Sequence, residues 1–252
     1  MSMQLFDLSG KTAVVTGGSR GLGRDMAHAF AEAGANVVII SRTEAPDVVK
    51  ELEGYGVNAY SIAFDIGDLA NHENLVKEIE EKVGDVHILL NNAGIQRRHP
   101  AEVFPLADWQ EVLNVNTTAV FSLCQQFGKK MITQGSGKII NIASLLSFQG
   151  GLTVPAYAAS KGAVMQFTKS LANEWASKGI NVNCIAPGYM ATDMNEALIA
   201  DETRSRQILE RIPAGRWGSG TDMKGAAIFL ASSASDYIHG FTIAVDGGWL
   251  GR

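Results

Sequence analysis

Tyr157 and Lys161 stand four residues apart in Pro155-Ala156-Tyr157-Ala158-Ala159-Ser160-Lys161, with Ser144 upstream of both. Four residues is about one helical turn, so the phenol and the ammonium share a helix face. A free phenol titrates near ~10 and is a poor proton carrier at neutral pH. A neighbouring ammonium favours the phenolate and pulls its pKa toward the working range. The spacing therefore predicts a proton-transfer pair in which Lys161 lowers the pKa of Tyr157.

Such a pair needs a framework, and composition says which kind. A chain of 252 residues is long enough for one large α/β domain with a substantial core. Hydrophobic content of 46% and 27 glycines fit a compact enzyme rather than a disordered or fibrous chain. The net charge of -5 argues against nucleic acid as a partner. Cys124 and Cys184 have no metal-ligand spacing and read as buried free thiols. The five histidines share no spacing either, so no metal is expected. The first residues carry no basic region followed by an apolar run, and no apolar stretch reaches the roughly 18 residues that a membrane span needs. A cytoplasmic protein with no membrane partner is the expectation.

Along the chain, short β-rich runs alternate with helical patterns. Strands are predicted at 11–16, 36–41, 58–64, 86–91, 138–143, 181–186 and 241–245. Val37-Val38-Ile39-Ile40 and Ile88-Leu89-Leu90 are nearly continuous apolar runs, the pattern of strands buried on both faces of a parallel sheet. Helices are predicted at 22–34, 44–54, 70–83, 106–132, 156–178 and 222–231, with Asn71 or Asp68 capping the third and Asp222 the last. Repeated strand–helix–strand units make this a doubly wound, Rossmann-type, seven-stranded parallel sheet with helices on both faces, in a single domain. The charged segment 189–215 follows a strand end and is expected to act as a lid over the substrate.

Thr16-Gly17-Gly18-Ser19-Arg20-Gly21-Leu22-Gly23 follows the first strand and opens the first helix. Glycines let the chain turn tightly and approach a pyrophosphate, and the helix N-terminus supplies N–H groups. Ser19, Arg20 and Leu22 fall within this loop. Asp65, followed by Ile66, comes directly after the third strand and could accept from an adenine amino group. Asn91-Asn92-Ala93-Gly94 ends the fourth, where ligands bind in such sheets.

These residues together resemble the short-chain dehydrogenase/reductase family, and the likeness covers essentially the whole chain. It rests on the glycine loop at 17–23, Asn-Asn-Ala-Gly at 91–94, Asn116, Ser144, Tyr157 with Lys161, and Pro187-Gly188 with Thr192. The resemblance implies hydride transfer between a nicotinamide and a carbinol or carbonyl carbon. It makes Tyr157 the general acid or base. It gives Lys161 the ribose and Ser144 the substrate oxygen, and it has Asn116 anchor a water that leads to Lys161. Thr192 and the backbone near Ile185 and Gly188 would hold the carboxamide, Pro187 would also bind the cofactor, and a homotetramer is implied. Other readings are a reductase of other ketones and a non-catalytic dinucleotide-binding regulator.

The second strand ends in Ser41-Arg42-Thr43, with no carboxylate before Glu44 to bind a ribose 2′-hydroxyl. Arg42, with Arg20 opposite, suits a 2′-phosphate, so NADP(H) is favoured over NAD(H), which stays possible. Within the family, Gly94-Ile95-Gln96-Arg97-Arg98, Ala186-Pro187-Gly188-Tyr189-Met190-Ala191-Thr192 and Arg211-Ile212-Pro213-Ala214-Gly215-Arg216-Trp217 look like the sugar-acid members, of 2-dehydro-3-deoxy-D-gluconate or gluconate type. An acidic sugar needs a cation, offered by Arg97 or Arg98. Gln149 could bind hydroxyls, and Tyr189 is a further candidate for contact with the sugar or keto acid.

Overall fold

Alternate residues of each central strand point to opposite faces, and here both faces are apolar and covered. The computed structural model describes residues 3–252. Its strands are β1 (Thr12–Thr16), β2 (Asn36–Ser41), β3 (Ala59–Ala63), β4 (Ile88–Asn91), β5 (Gly137–Ile142), β6 (Ile180–Pro187) and β7 (Thr242–Val245). They form one sheet in the order β3-β2-β1-β4-β5-β6-β7, with every neighbouring pair parallel. All seven predicted strands are present.

The helices are α1 (Gly21–Glu32), α2 (Pro46–Glu53), α3 (His72–Val83), α4 (Leu106–Leu113), α5 (Val120–Gln134), α6 (Pro155–Trp175), α7 (Glu196–Ala200), α8 (Glu202–Leu209) and α9 (Gly220–Ala231). Ala13, Val15, Val37 and Ile39 face one core, closed by Met26 and Phe30 of α1 and Met223 and Leu230 of α9. Val14, Val38, Ile40 and Leu89 face the other, closed by Leu75 and Ile79 of α3, Phe127 of α5 and Trp175 of α6. Met26 and Phe30 lie one turn apart, as do Leu123 and Phe127, and both pairs keep their apolar stripe on the sheet. Gly135 ends α5 in the left-handed region at φ 74°, where a side chain would be strained.

Three expectations differ in detail. The helix predicted over 106–132 is two α-helices joined by a π-helical turn, Asn114–Ala119. A wider turn inserts one residue without disturbing the apolar stripe, so periodicity does not reveal it. Asp222 does not occupy the N-cap of α9. That helix starts two residues earlier, Ser219 is the N-cap, and the Asp222 carboxylate accepts from the Ser219 N–H at 2.7 Å. Asn71 does precede α3, but its side chain donates to Asp68 Oδ2 at 2.8 Å instead of capping the helix. Among the described residues no helix is long and apolar enough to cross a membrane.

The strand order reverses between β1 and β4. In an open parallel sheet this parts the loops beyond the strand C-termini and leaves a crevice there.

Candidate active site

A cleft of about 970 Å³ opens at that reversal, with Gly17, Asn92 and Tyr157 among its walls. Its floor is a junction of two strand ends. Thr16 Oγ1 accepts from the N–H groups of Asn92 at 3.0 Å and Ala93 at 3.1 Å, and the Asn92 amide donates to Thr16 O at 3.1 Å. Gly17 sits at φ 67°, and a Cβ there would lie 3.0 Å from the Ala93 Cα. In α1, a Cβ on Gly23 would run into the Gly17 carbonyl and the Asn92 amide. The glycines thus bring the loop hard against the end of β4. Ser19, Arg20, Gly21 and Leu22 line the cleft in front of the α1 N-terminus. A backbone cradle of this kind, with helix N–H groups aimed outward, fits a dinucleotide pyrophosphate.

Ser41, Arg42, Asp65 and Ile66 line one end of the cleft. Asp65 Oδ1 accepts from the Gly67 N–H at 2.8 Å, which shapes the turn after β3. The Ile66 carbonyl is held from behind by His72 Nε2 at 2.9 Å, while His72 Nδ1 meets Ser122 Oγ at 2.9 Å. Burial pushes the pKa of His72 down, so the ring is a neutral strut.

Toward the other end stand Ser144, Tyr157 and Lys161, all in the cleft wall. Ser144 leaves β5 as the N-cap of a 3-10 turn, its Oγ accepting from the Leu146 N–H at 3.1 Å. Pro155 opens α6, and the next turns present Tyr157 and Lys161 on one face. Burial pushes the Tyr157 phenol upward, against the hydrogen bond from Ser144 and the charge of Arg98. Lys161 is buried, its pKa pushed down to about 8, and its Nζ donates to the Ile142 carbonyl at 2.6 Å. The ammonium lies 5.7 Å from the centroid of the Tyr157 ring. The Lys161 ammonium is thus held beside the Tyr157 ring while bonded to the end of β5. The charge of Arg98 is a further one that favours phenolate.

Asn116 is buried in the π-helical turn, behind the cleft rather than in its wall. Its Oδ1 accepts from the Ile95 N–H at 2.8 Å, and its Nδ2 donates to Ile95 O at 2.9 Å and Ser160 Oγ at 3.1 Å. A Cβ on Gly94 would stand 3.1 Å from Asn116 Oδ1 and 3.8 Å from Lys161 Nζ, so this loop, the π turn and the lysine meet at one point.

A family model described as short chain dehydrogenase matches residues 11–203. The chain is 51% identical over 253 residues to the 2-dehydro-3-deoxy-D-gluconate 5-dehydrogenase of Dickeya dadantii, with 100% of each chain covered. It is 43% identical to the gluconate 5-dehydrogenase of Gluconobacter oxydans, covering 97% of this chain and 96% of that one. Its fold matches a gluconate 5-dehydrogenase from Burkholderia cenocepacia, solved in complex with NADP and tartrate, with a TM-score of 0.97 at 42% identity over 100% of each chain. The chain belongs to the short chain dehydrogenase family. It is an oxidoreductase that acts on CH–OH groups with a nicotinamide dinucleotide.

In this short chain dehydrogenase the remaining expected residues separate into two groups. Ala93, Gly94, Pro187, Gly188, Tyr189 and Thr192 line the cleft, as does Arg98. Arg97 and Gln149 are not brought to it. The Arg97 guanidinium pairs with Glu111 at 2.8 Å, and Gln149 Oε1 accepts from the Trp249 indole N–H at 3.2 Å. Arg20 lines the cleft, but its guanidinium meets Asp193 at 3.2 Å across the opening, both side chains being exposed. The 189–215 segment holds a 3-10 turn followed by α7 and α8, and from it Asn195, Leu198 and Arg204 also line the cleft. Sequence reading passed over these three, because nothing in a charged helical stretch tells which of its turns faces inward. Leu146, Leu152 and Val154 add an apolar wall that adjacency to Ser144 alone could have suggested. Cys124 and Cys184 are buried free thiols away from the cleft, held up at about 12 and about 11 by burial. Among the described residues no cluster of His, Cys, Asp and Glu could hold a metal ion.

Proposed function

We propose that this enzyme is a sugar-acid dehydrogenase of 2-dehydro-3-deoxy-D-gluconate or gluconate type that works with NADP(H). The observation that carries this reading is Arg98, a cation in the cleft wall close enough to lower the pKa of Tyr157, and with no carboxylate partner among the described residues. A guanidinium left open beside the reacting centre suits an anionic, hydroxylated substrate. The names of the Dickeya and Gluconobacter relatives point the same way.

The bound nicotinamide supplies the hydride acceptor or donor. In oxidation, Tyr157 Oη takes the proton of the substrate hydroxyl; in reduction it returns that proton to the oxygen. The Ser144 hydroxyl donates to the same oxygen as charge develops there. Lys161, fixed against Ile142, is suited to the ribose hydroxyls, and Asn116 sets the loop over which a proton reaches it. Pro187, Gly188 and Thr192 hold the carboxamide side. Arg42, exposed after β2, takes the 2′-phosphate with Arg20, and Ser41, Asp65 and Ile66 flank the adenosine. The 189–215 segment acts as the lid. In this reading the enzyme works in the cytoplasm as a homotetramer. The β7 edge, with Phe241 exposed beside it, suits a contact between subunits.

The test is a set of initial rates with 2-dehydro-3-deoxygluconate, gluconate, 5-ketogluconate and neutral sugars, each with both nicotinamide pairs. Acids with NADP(H) should lead, and Tyr157→Phe should lose turnover by at least about a thousandfold while binding the cofactor. Preference for a neutral carbonyl substrate, or for NADH, would refute the corresponding half of the proposal.

A further inference from the structure

Three carboxylates and several cations line the cleft, and their pairing is uneven. Asp193 is met by Arg20 at 3.2 Å and Glu111 by Arg97 at 2.8 Å, while Asp65 stands at the adenosine end. The Arg97 pair thus cancels a negative charge that would repel an anion near the substrate. Among the described residues, Arg42, Arg98 and Arg204 line the same cleft and none of these guanidiniums has a carboxylate partner; Arg42 lies beside Ser41 and Asp65 at the adenosine end. Arg24, Arg206 and Arg216, which lie outside the cleft wall, each have one.

Arg204 is placed by local structure. It occupies the first turn of α8, where Asp201 Oδ1 accepts from its backbone N–H at 3.0 Å and so fixes the helix start. That carboxylate is engaged by the backbone. Arg204 Nη1 donates to Gln207 Oε1 at 3.0 Å, one turn on, which steadies the side chain and leaves most of its donors open. Glu210 lines a neighbouring cavity with Arg204, but lies 3.9 Å from Arg206. Asn195, the other polar amide on this side of the cleft, is committed to Met190 O at 2.9 Å. Of the three open guanidiniums, Arg42 follows β2 at the adenosine end, while Arg98 follows the Asn92–Gly94 loop into the cleft wall, near enough for its charge to bear on the Tyr157 phenol. Arg204 comes from the opposite, lid side.

We infer that Arg204 takes the substrate's carboxylate and makes the enzyme selective for acids, while Arg98 serves the reacting oxygen. This rests on the sugar-acid reading and deepens it. A substrate whose carboxylate lies at the far end of the carbon chain from the reacting carbon cannot present both to Arg98. A second cation is needed, and one carried on the lid side couples acid binding to closure.

The experiment compares wild type with Arg204→Gln, Arg204→Lys and, as a surface control, Arg206→Gln. Steady-state rates use 2-dehydro-3-deoxygluconate and the uncharged amide of the same acid. Calorimetry measures gluconate and tartrate binding to the enzyme saturated with NADP. Arg204→Gln should raise KM for the acid at least tenfold with kcat changed less than threefold. It should leave kcat/KM for the amide unaltered, and weaken both calorimetric affinities about tenfold. Arg204→Lys should fall between, and Arg206→Gln should match wild type. Equal losses on acid and amide, an unchanged KM for the acid, or carboxylate affinities insensitive to Arg204 would overturn the inference. If wild type turns over no sugar acid, the function proposal fails. Calorimetry still judges Arg204, since an enzyme that binds no carboxylate refutes its role.

Discussion

In the proposed mechanism Tyr157 is the residue on which proton transfer turns, and its neighbours set the pH at which it works. Burial raises its pKa, while the Ser144 hydrogen bond and the Arg98 charge oppose that rise. Oxidation needs the phenolate, so its rate climbs with pH through the pKa of Tyr157. Reduction needs the phenol and declines over the same range. Removing Arg98 removes a cation that favours phenolate, so Arg98→Gln should move the alkaline limb of oxidation to higher pH and slow oxidation at neutral pH. Reduction below that limb should change less, and Arg98→Lys should restore part of the shift. A pH–rate profile that keeps its limb in Arg98→Gln would remove Arg98 from this role. Lys161 was legible in sequence as the partner of Tyr157, but its orientation was not, because a contact with the Ile142 carbonyl depends on the end of β5. Nor do two adjacent arginines announce which one meets Glu111 and which enters the cleft.

At the scale of elements, the sheet was readable because each strand is a short apolar run with turn residues at its ends. The helices were readable from period 3.6, and their joints were not. The π-helical turn at Asn114–Ala119 lies inside one continuous apolar pattern, yet it is what directs Asn116 at the loop after β4. Asn116 satisfies both the N–H and the carbonyl of Ile95 from a fully buried position. Asn116→Ala leaves both groups without that partner, at about 1–3 kcal/mol for an unsatisfied buried group. For a chain of this size that is a fall in Tm of roughly 3–10 °C. The loop also carries Gly94 against Lys161, so turnover should fall more than stability alone explains. A melting curve and kcat for Asn116→Ala check both. Full activity with a lowered Tm would make the residue structural only. Helices α7 and α8 show the converse limit. Their charges suggested an exposed excursion, and only the packing of Ile208 beneath α8 orients Arg204 inward.

Across the whole molecule, the two large cores on either side of the sheet hold the scaffold, and a small separate cluster holds the 189–215 segment, the proposed lid, to it. That cluster contains Leu145 beside Ser144, Ile208 of α8, Ile212 and Trp249 of the C-terminal segment. Trp249 ties it together: Tyr189 lies with its ring centroid 4.7 Å away, the Arg211 guanidinium stacks at 4.1 Å, and the indole N–H donates to Gln149 at 3.2 Å. Gln149 is thus a brace for the tail, a task that nearness to Ser144 in sequence could not foretell. Because the cluster is separate from both large cores, loosening it should open the lid before it unfolds the sheet. Trp249→Ala should speed backbone hydrogen exchange over 202–212 and raise KM for the sugar acid, with NADP affinity held within a factor of about three. Its loss of Tm should be smaller than that of Phe127→Ala. The latter empties a ring from the packed core between α5 and the sheet, where such truncations cost about 3–5 kcal/mol. If Trp249→Ala instead melted as early as Phe127→Ala with no local change in exchange, the tail and lid would be one cooperative unit with the sheet. Substrate selectivity could then not be tuned there without loss of the fold.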